Sequence, residues 1–230
     1  TAYDMFASLS VLHHPEKYGL RGSWAAGVRS RLPVAEREFL QDVVPLLWPF
    51  DWVYGLPKPK DGATVLATLS DLLPEERIPA LQTLQLRDDP QVTALLRSIA
   101  ERGAWTDDDL QNFVTILAAD DNGHRGATAA HRKLASTELD IWADLTTSGE
   151  MLLSALTAYY DSFYAEEELR IRDSIETALV NAQAAAEGRS LKELLEELSQ
   201  GLVFDKPLDM EKLVLVPSFW ATPLILFARV

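Results

Sequence analysis

The stretch SGEMLLSALTAYYDSFYAEEELRIRDSIETALVNAQAAAE, residues 148–187, decides the fold class of this chain. After Gly149 it contains neither proline nor glycine. Its apolar residues recur mostly every three or four positions, at Leu152, Leu156, Tyr159, Phe163, Ile171, Ile175 and Leu179. This spacing predicts one long helix, about 60 Å in length at about 1.5 Å per residue. Gly188 is predicted to end it, and Ser190 to cap a short amphipathic helix that stops at Gly201.

Upstream, residues 1–145 predict a series of short helices separated by turns. The opening residues TAYDMFASLSVL carry an apolar helical stripe, and a second short helix surrounds Trp24. Caps, prolines and acidic first turns mark further helix starts at Pro33, Asp61, Pro74, Asp89 and Thr106. Another helix is predicted within residues 128–146. The proline- and aromatic-rich stretch 46–59 is predicted not to form a regular helix, and DDNGHRG, residues 120–126, to form a loop.

Downstream, the apolar pattern changes from helical to strand-like. Residues 212–216 (KLVLV) and 224–230 (LILFARV) are apolar and partly β-branched, and PSFWATP joins them. This pattern predicts a β-hairpin. The predicted fold class is therefore mainly α, an irregular multi-helix domain with one long helix and a small C-terminal β-hairpin. We divide it into short helices at 1–145, the long and amphipathic helices at 146–205, and the hairpin at 206–230.

Composition excludes several classes of function. The 35 acidic and 21 basic residues give a net charge of −14, so this chain alone is not expected to bind DNA, whose affinity for proteins depends on Lys and Arg at phosphates. The absence of cysteine excludes disulfides, thiolate metal sites and a cysteine nucleophile, and fits a cytoplasmic protein. No uncharged apolar run reaches eighteen residues, so no membrane span is predicted.

Two stretches carry a resemblance to a known family. The opening run YDMFASLSVLHHPEKYGLRGSWAAGVRSRL, residues 3–32, and the run VPSFWATPLILF, residues 216–227, resemble a helical region of unassigned role in bacterial ArsR-type transcriptional regulators. In that group the helical region precedes a C-terminal winged helix. The metal-sensing cysteines of the wider family are absent here, and so is a helix-turn-helix. Both ends of the chain are apolar, so we expect it to be cut from a longer protein whose winged helix follows Val230.

The resemblance implies a sensor or dimerisation domain rather than an enzyme. Two protomers would associate as a homodimer and reach DNA only through the winged helices that this chain lacks. No cofactor is predicted. The effector, if there is one, the operator and the dimer surface cannot be read from the sequence.

Aromatic residues form the first candidate site. Trp48, Phe50, Trp52 and Tyr54 alternate along one proline-rich stretch, and further aromatic residues lie on the long helix. They either line a pocket for a small apolar or aromatic ligand or belong to the core, and core packing is the favoured interpretation. The residues we expect to line such a pocket are Trp24, Trp52, Tyr159 and Phe163.

Oxygen donors and imidazoles form the second candidate site. Asp121, His124 and His131, with neighbouring Asp120 and Asn122, could hold a divalent ion. The spacing lacks the twelfth-position glutamate of an EF-hand, and DDNG is typical of an ordinary turn, which is the favoured interpretation.

The pair His13-His14 is interpreted as a helix end, where an imidazolium would favour the negative end of the helix dipole.

Two other functions stay open at this point. A metal-dependent enzyme would bring Asp121, His124 and His131 within coordination distance of one another. A ligand-free assembly domain would have a filled interior and a large apolar interface. No nucleophile elbow and no glycine-rich phosphate loop is present, so catalysis is the minority interpretation.

Overall fold

A computed structural model of the protein describes residues 1–82, 89–120, 129–201 and 212–222. The described residues are mainly helical and contain no sheet, only an isolated β-bridge between Leu47 and Gln82. The helices are α1 (Ala2–His13), α2 (Gly22–Arg29), α3 (Val34–Val43), α4 (Phe50–Gly55), α5 (Gly62–Asp71), α6 (Pro74–Leu81), α7 (Pro90–Arg102), α8 (Asp107–Asp120), α9 (Ala129–Ala143), α10 (Leu145–Tyr159), α11 (Ala165–Ala186) and α12 (Leu191–Leu198). Short 3₁₀ turns follow α1 and α3, at Pro15–Tyr18 and Val44–Leu46.

The predicted helix starts are confirmed, and local side chains account for them. The Asp61 carboxylate accepts from the Thr64 backbone N–H at 2.8 Å, so it caps α5. Asp89 caps α7 in the same way, and Gly103 ends that helix with φ +66°. Ser190 and Glu193 form a capping box at α12.

The predicted long helix is confirmed as one helical run made of α10, a π turn at Tyr160–Tyr164 and α11. The run is therefore not an unbroken α-helix: the Ala165 N–H donates to the carbonyl of Tyr160, five residues earlier. It ends before Gly188, whose φ is +74°.

The main core lies where α10 packs between α3 and α6. Its buried residues come from α1 to α6 and from α9, α10 and the π turn. Gly149 allows the closest approach, because a Cβ at this position would lie 1.8 Å from the carbonyl oxygen of Pro74. A second cluster of buried apolar side chains joins α7, α8 and α9. The division of the chain at 145 and 205 stays a prediction.

One sequence prediction is wrong and another is not supported. Residues 46–59 include a short helix, α4, because the prolines flank residues 50–55 and leave them free of proline. The hairpin is not supported: residues 212–218 have no regular secondary structure, and 224–230 lie outside the described residues. A two-stranded hairpin is marginally stable by itself, and the amides of Phe219 and Trp220 instead bond to a carboxylate on α1.

Candidate functional site

The π turn brings aromatic side chains together on the buried side of the long helix. In a regular α-helix, residues five apart point about 140° away from each other, at about 100° per residue. The wider turn places Tyr159 and Tyr164 on one side, where both are fully buried and their rings stack with centroids 6.3 Å apart. π turns are often found at functional sites.

Three of the four predicted pocket residues lie in one aromatic cluster. Trp24 on α2 meets Phe163 edge-on at 6.0 Å between ring centroids, and Phe163 lies 5.7 Å from Tyr159. Trp52, the fourth, packs against the main core from α4, and no ring contact among the described residues joins it to this cluster. These rings contact one another, and their role as a ligand pocket stays a prediction.

The cluster is completed by Trp220, which the sequence analysis placed in a hairpin connection. The Trp220 indole stacks on Trp24 at 5.3 Å with 23° between the ring planes, and Phe163 meets it edge-on at 6.1 Å. Only 9% of Trp220 is exposed. Its Nε1 is buried and has no hydrogen-bond partner among the described residues.

We call residues 212–222 the strap, because they cross the helices without regular secondary structure. A buried carboxylate on α1, Asp4, holds the strap beside Trp220. Asp4 Oδ1 accepts from Ser218 Oγ at 2.7 Å, from the Phe219 N–H at 2.8 Å and from the Trp220 N–H at 3.2 Å. Sequence reasoning missed Asp4, since an acidic residue in the first turn of a helix is ordinary.

Cationic side chains take part in two further contacts of the strap. Lys212 Nζ donates to the Tyr54 hydroxyl and lies 5.0 Å from the centre of that ring, and this hydrogen bond lowers the pKa of Tyr54. The Arg170 guanidinium lies 5.0 Å from the ring of Phe219 and also pairs with Glu167. Both contacts are on the surface, so the burial of the strap comes mainly from its Trp220 end.

Hydroxyl groups below the cluster are satisfied by the body of the protein. Ser8 Oγ and the Tyr159 hydroxyl share a hydrogen bond of 2.8 Å, and the Tyr164 hydroxyl donates to the Thr1 carbonyl at 2.6 Å. Burial raises the pKa of both tyrosines above the usual value, so they stay neutral. The cluster therefore consists of neutral aromatic side chains with more than one carboxylate near them.

The proposed metal site stays a prediction, because two of its three ligands lie outside the described residues. His131 lies on α9, whereas Asp121 and His124 lie outside the described residues. No group of three His, Asp or Glu side chains able to hold an ion occurs within 1–82, 89–120, 129–201 and 212–222.

The histidine pair does end a helix, as predicted, but for a different reason. His13 is the last residue of α1, and burial, followed by the charge of Arg29 and by His14, lowers its pKa to about 4. His13 is therefore neutral at pH 7 and carries no charge to the helix end. The Arg29 guanidinium supplies that charge instead, since its Nη1 donates to the Leu12 carbonyl at 3.3 Å.

A buried carboxyl group on α9 is a second feature that the sequence did not indicate. Glu138 Oε1 accepts hydrogen bonds from Gln82 Nε2 and from Trp142 Nε1, the latter at 2.8 Å. Its other oxygen, Oε2, is buried without a partner among the described side chains. Burial raises the pKa of Glu138 to about 7, although the two N–H donors oppose this rise.

A surface depression lies beside α10. Arg77, Glu150 and Asp161 line part of it. The Arg77 guanidinium is engaged, however, because it donates to the carbonyl oxygens of Leu69 at 2.8 Å and of Leu72 at 3.2 Å. It serves to cap the end of α5.

Comparisons of the chain with protein-family models, with curated proteins and with solved structures find no match. Among the described helices, none combines the length and the apolar character that crossing a membrane requires.

Proposed function

We propose that this chain is the non-catalytic regulatory part of a bacterial transcriptional regulator similar to the ArsR type, and that it acts through the strap. The observation that carries the proposal is the anchoring of the strap by Asp4 and Trp220. These two residues are 216 positions apart in the chain, yet they fix the backbone at 218–220 to α1. A chain held in this way transmits a change in the helical body to whatever follows it.

The charge of the chain supports the assignment of DNA contacts to another domain. With a net charge of −14, the helical body is repelled by phosphates, so a winged helix beyond Val230 would make those contacts. The strap would then connect an acidic regulatory body to a basic reader.

Exposed apolar residues support association as a homodimer through the long helix. The last turns of α11 are almost entirely exposed, including Leu179 at 43% and Val180 at 62%. The amphipathic helix α12 contacts α11 and exposes Leu191 and Leu198 as well. Two long helices paired at these surfaces would set the distance between two winged helices on a pseudo-palindromic site. A ligand would shift that distance only by binding one arrangement more tightly.

The test begins with the reading frame after Val230 and continues with the full-length protein. We expect a basic helix-turn-helix with a wing, and operator binding by the full-length protein but not by residues 1–230 alone. In the full-length protein, Trp220→Ala is expected to change the preferred half-site spacing, while Trp52→Ala leaves it unchanged. A stop codon directly after Val230, or tight duplex binding by residues 1–230 in physiological salt, would refute the proposal.

A ligand-free assembly domain is the second candidate, and the filled aromatic cluster favours it. Its rings pack at 5.3 to 6.1 Å between centroids, as in a core. Light scattering on the full-length protein would give a dimer for either function. Only the regulatory function predicts that an effector alters operator binding.

A further inference from the structure

We propose that the groove beneath the strap binds a neutral, planar, two-ring aromatic molecule without a hydrogen-bond donor, which displaces the Trp220 indole. This inference deepens the proposed function, on which its regulatory consequence rests, by naming the class of effector. Displacement would free the strap from the helical body.

The groove is already built for a flat bicyclic ring. Trp24 stacks on one face of the Trp220 indole, and Phe163 meets it edge-on. Ala7 and Val11 on α1 and Ile171 on α11 pack with Trp220 in the same buried apolar cluster. These side chains come from the helical body, so the groove stays when the strap leaves.

Within the described part of the chain, the Trp220 indole leaves one of its own polar groups unpaired in this groove. Its Nε1–H is buried and donates to no described acceptor, and an unmade hydrogen bond at a buried donor disfavours the bound state. A ring of the same size without the N–H avoids this loss. We expect such a ring to bind about fivefold more tightly than its N–H analogue.

The strap is attached at few points, so a ligand can compete with it. Its hydrogen bonds to the body, between described residues, all end at Asp4 and at Tyr54. Val214, Leu215 and Val216 are exposed at about 40%. The ligand must nevertheless exceed the local concentration of a tethered indole, which is on the order of millimolar for a short tether.

Release of the ring and release of the backbone are coupled at Asp4. The Trp220 N–H that bonds to this carboxylate belongs to the same residue as the displaced indole, and the Phe219 N–H is adjacent to it. A ring that leaves the groove removes the packing against Trp24 and Phe163 that holds these two amides at the carboxylate, and so weakens the anchor. This coupling converts occupancy of the groove into freedom of the strap.

The experiment uses residues 1–230 labelled with 5-fluorotryptophan and titrated with benzofuran and with indole, which differ in the N–H. The Trp220 ¹⁹F resonance, assigned by its loss in Trp220→Phe, reports solvent exposure through its shift between H₂O and D₂O. We expect saturable exposure of Trp220 with both probes, and an apparent dissociation constant about fivefold lower for benzofuran. Asp4→Asn, which weakens the anchor, should lower both constants about tenfold.

Two variants separate the groove from other effects. Trp24→Ala removes the stacking face and should abolish saturable release, while Trp52→Ala, a tryptophan outside the cluster, should leave it unchanged. Trp220→Ala alone is not sufficient, because a cavity made by truncation can bind such probes. The inference is overturned if the probes bind to Trp220→Ala but do not expose Trp220 in the unsubstituted protein or in Asp4→Asn. Tighter binding of indole than of benzofuran would also overturn it.

The titration contains no DNA, so the two proposals fail separately. If the probes displace Trp220 but no winged helix follows this chain, the proposed function is refuted and the binding site still stands. Operator binding by the full-length protein without displacement of Trp220 would refute only the binding site.

Discussion

Glu138→Gln is predicted to stabilise the protein, and to do so more strongly as the pH rises. In the folded protein the pKa of Glu138 is about 7, against an ordinary value of 4.5. Since one pKa unit corresponds to about 1.4 kcal/mol, holding the ionised carboxylate in this site costs about 3 kcal/mol. A neutral glutamine avoids this cost and keeps an oxygen that can accept from Gln82 and Trp142.

The sign of the pH dependence follows from the raised pKa. Below pH 4.5 the carboxyl group is neutral in both the folded and the unfolded state, so the substitution changes little. Between pH 4.5 and about 7 the unfolded state ionises while the folded state resists, and the folded protein loses stability; above about 7 the loss is complete. The advantage of Glu138→Gln should therefore grow by about 2 kcal/mol from pH 5.5 to pH 8.

Urea unfolding followed by tryptophan fluorescence at several pH values measures this difference. Glu150→Gln is the matched control, since it removes the same charge from an exposed position of α10. It should give a small effect that changes little with pH. The reasoning is refuted if Glu138→Gln destabilises the protein equally at every pH, or if both variants show the same pH dependence.

Two further predictions concern packing and hydrogen bonding in the main core. Gly149→Ala should lower the free energy of unfolding by about 2 kcal/mol, because the added Cβ would overlap the Pro74 carbonyl oxygen. Gly27→Ala, the control in open space on α2, should raise the free energy of unfolding by up to about 1 kcal/mol. Equal effects of the two variants in urea unfolding would contradict this prediction. Ser8→Ala should cost about 1 to 3 kcal/mol by leaving the Tyr159 hydroxyl unpaired, and combining it with Tyr159→Phe should cost less than the sum of the single variants. Strict additivity in that double-mutant cycle would exclude the hydrogen bond.

Local features made the helices predictable. Asp61 and Ser190 act on backbone groups three residues away, and Gly188 ends a helix through its own φ. Such signals lie within one turn of the helix they define, so a single sequence contains them. The same reasoning predicted the long helix from its apolar spacing.

The candidate site depends on contacts between residues far apart in the sequence, which patterns of neighbouring residues do not predict. Trp220 and Asp4 come from opposite parts of the chain, and neither has a neighbour in sequence that indicates the other. Sequence spacing also assumed a regular α-helix, whereas the π turn shifts the register between Tyr159 and Tyr164. The strand-like pattern of residues 212–216 did not predict their structure, because apolar residues without a strand partner among the described residues need not form a sheet.

Amide hydrogen exchange at Phe219 and Trp220 tests the central claim, that Asp4 and the aromatic cluster anchor the strap. Both amides donate to Asp4, so they are predicted to exchange slowly in the unsubstituted protein, and much faster in Asp4→Asn and in Trp24→Ala. The amides of Val214 and Leu215, residues that are about 40% exposed, should exchange quickly in all three proteins. Exchange of the Phe219 and Trp220 amides at the rate of the Val214 and Leu215 amides in the unsubstituted protein would contradict the account.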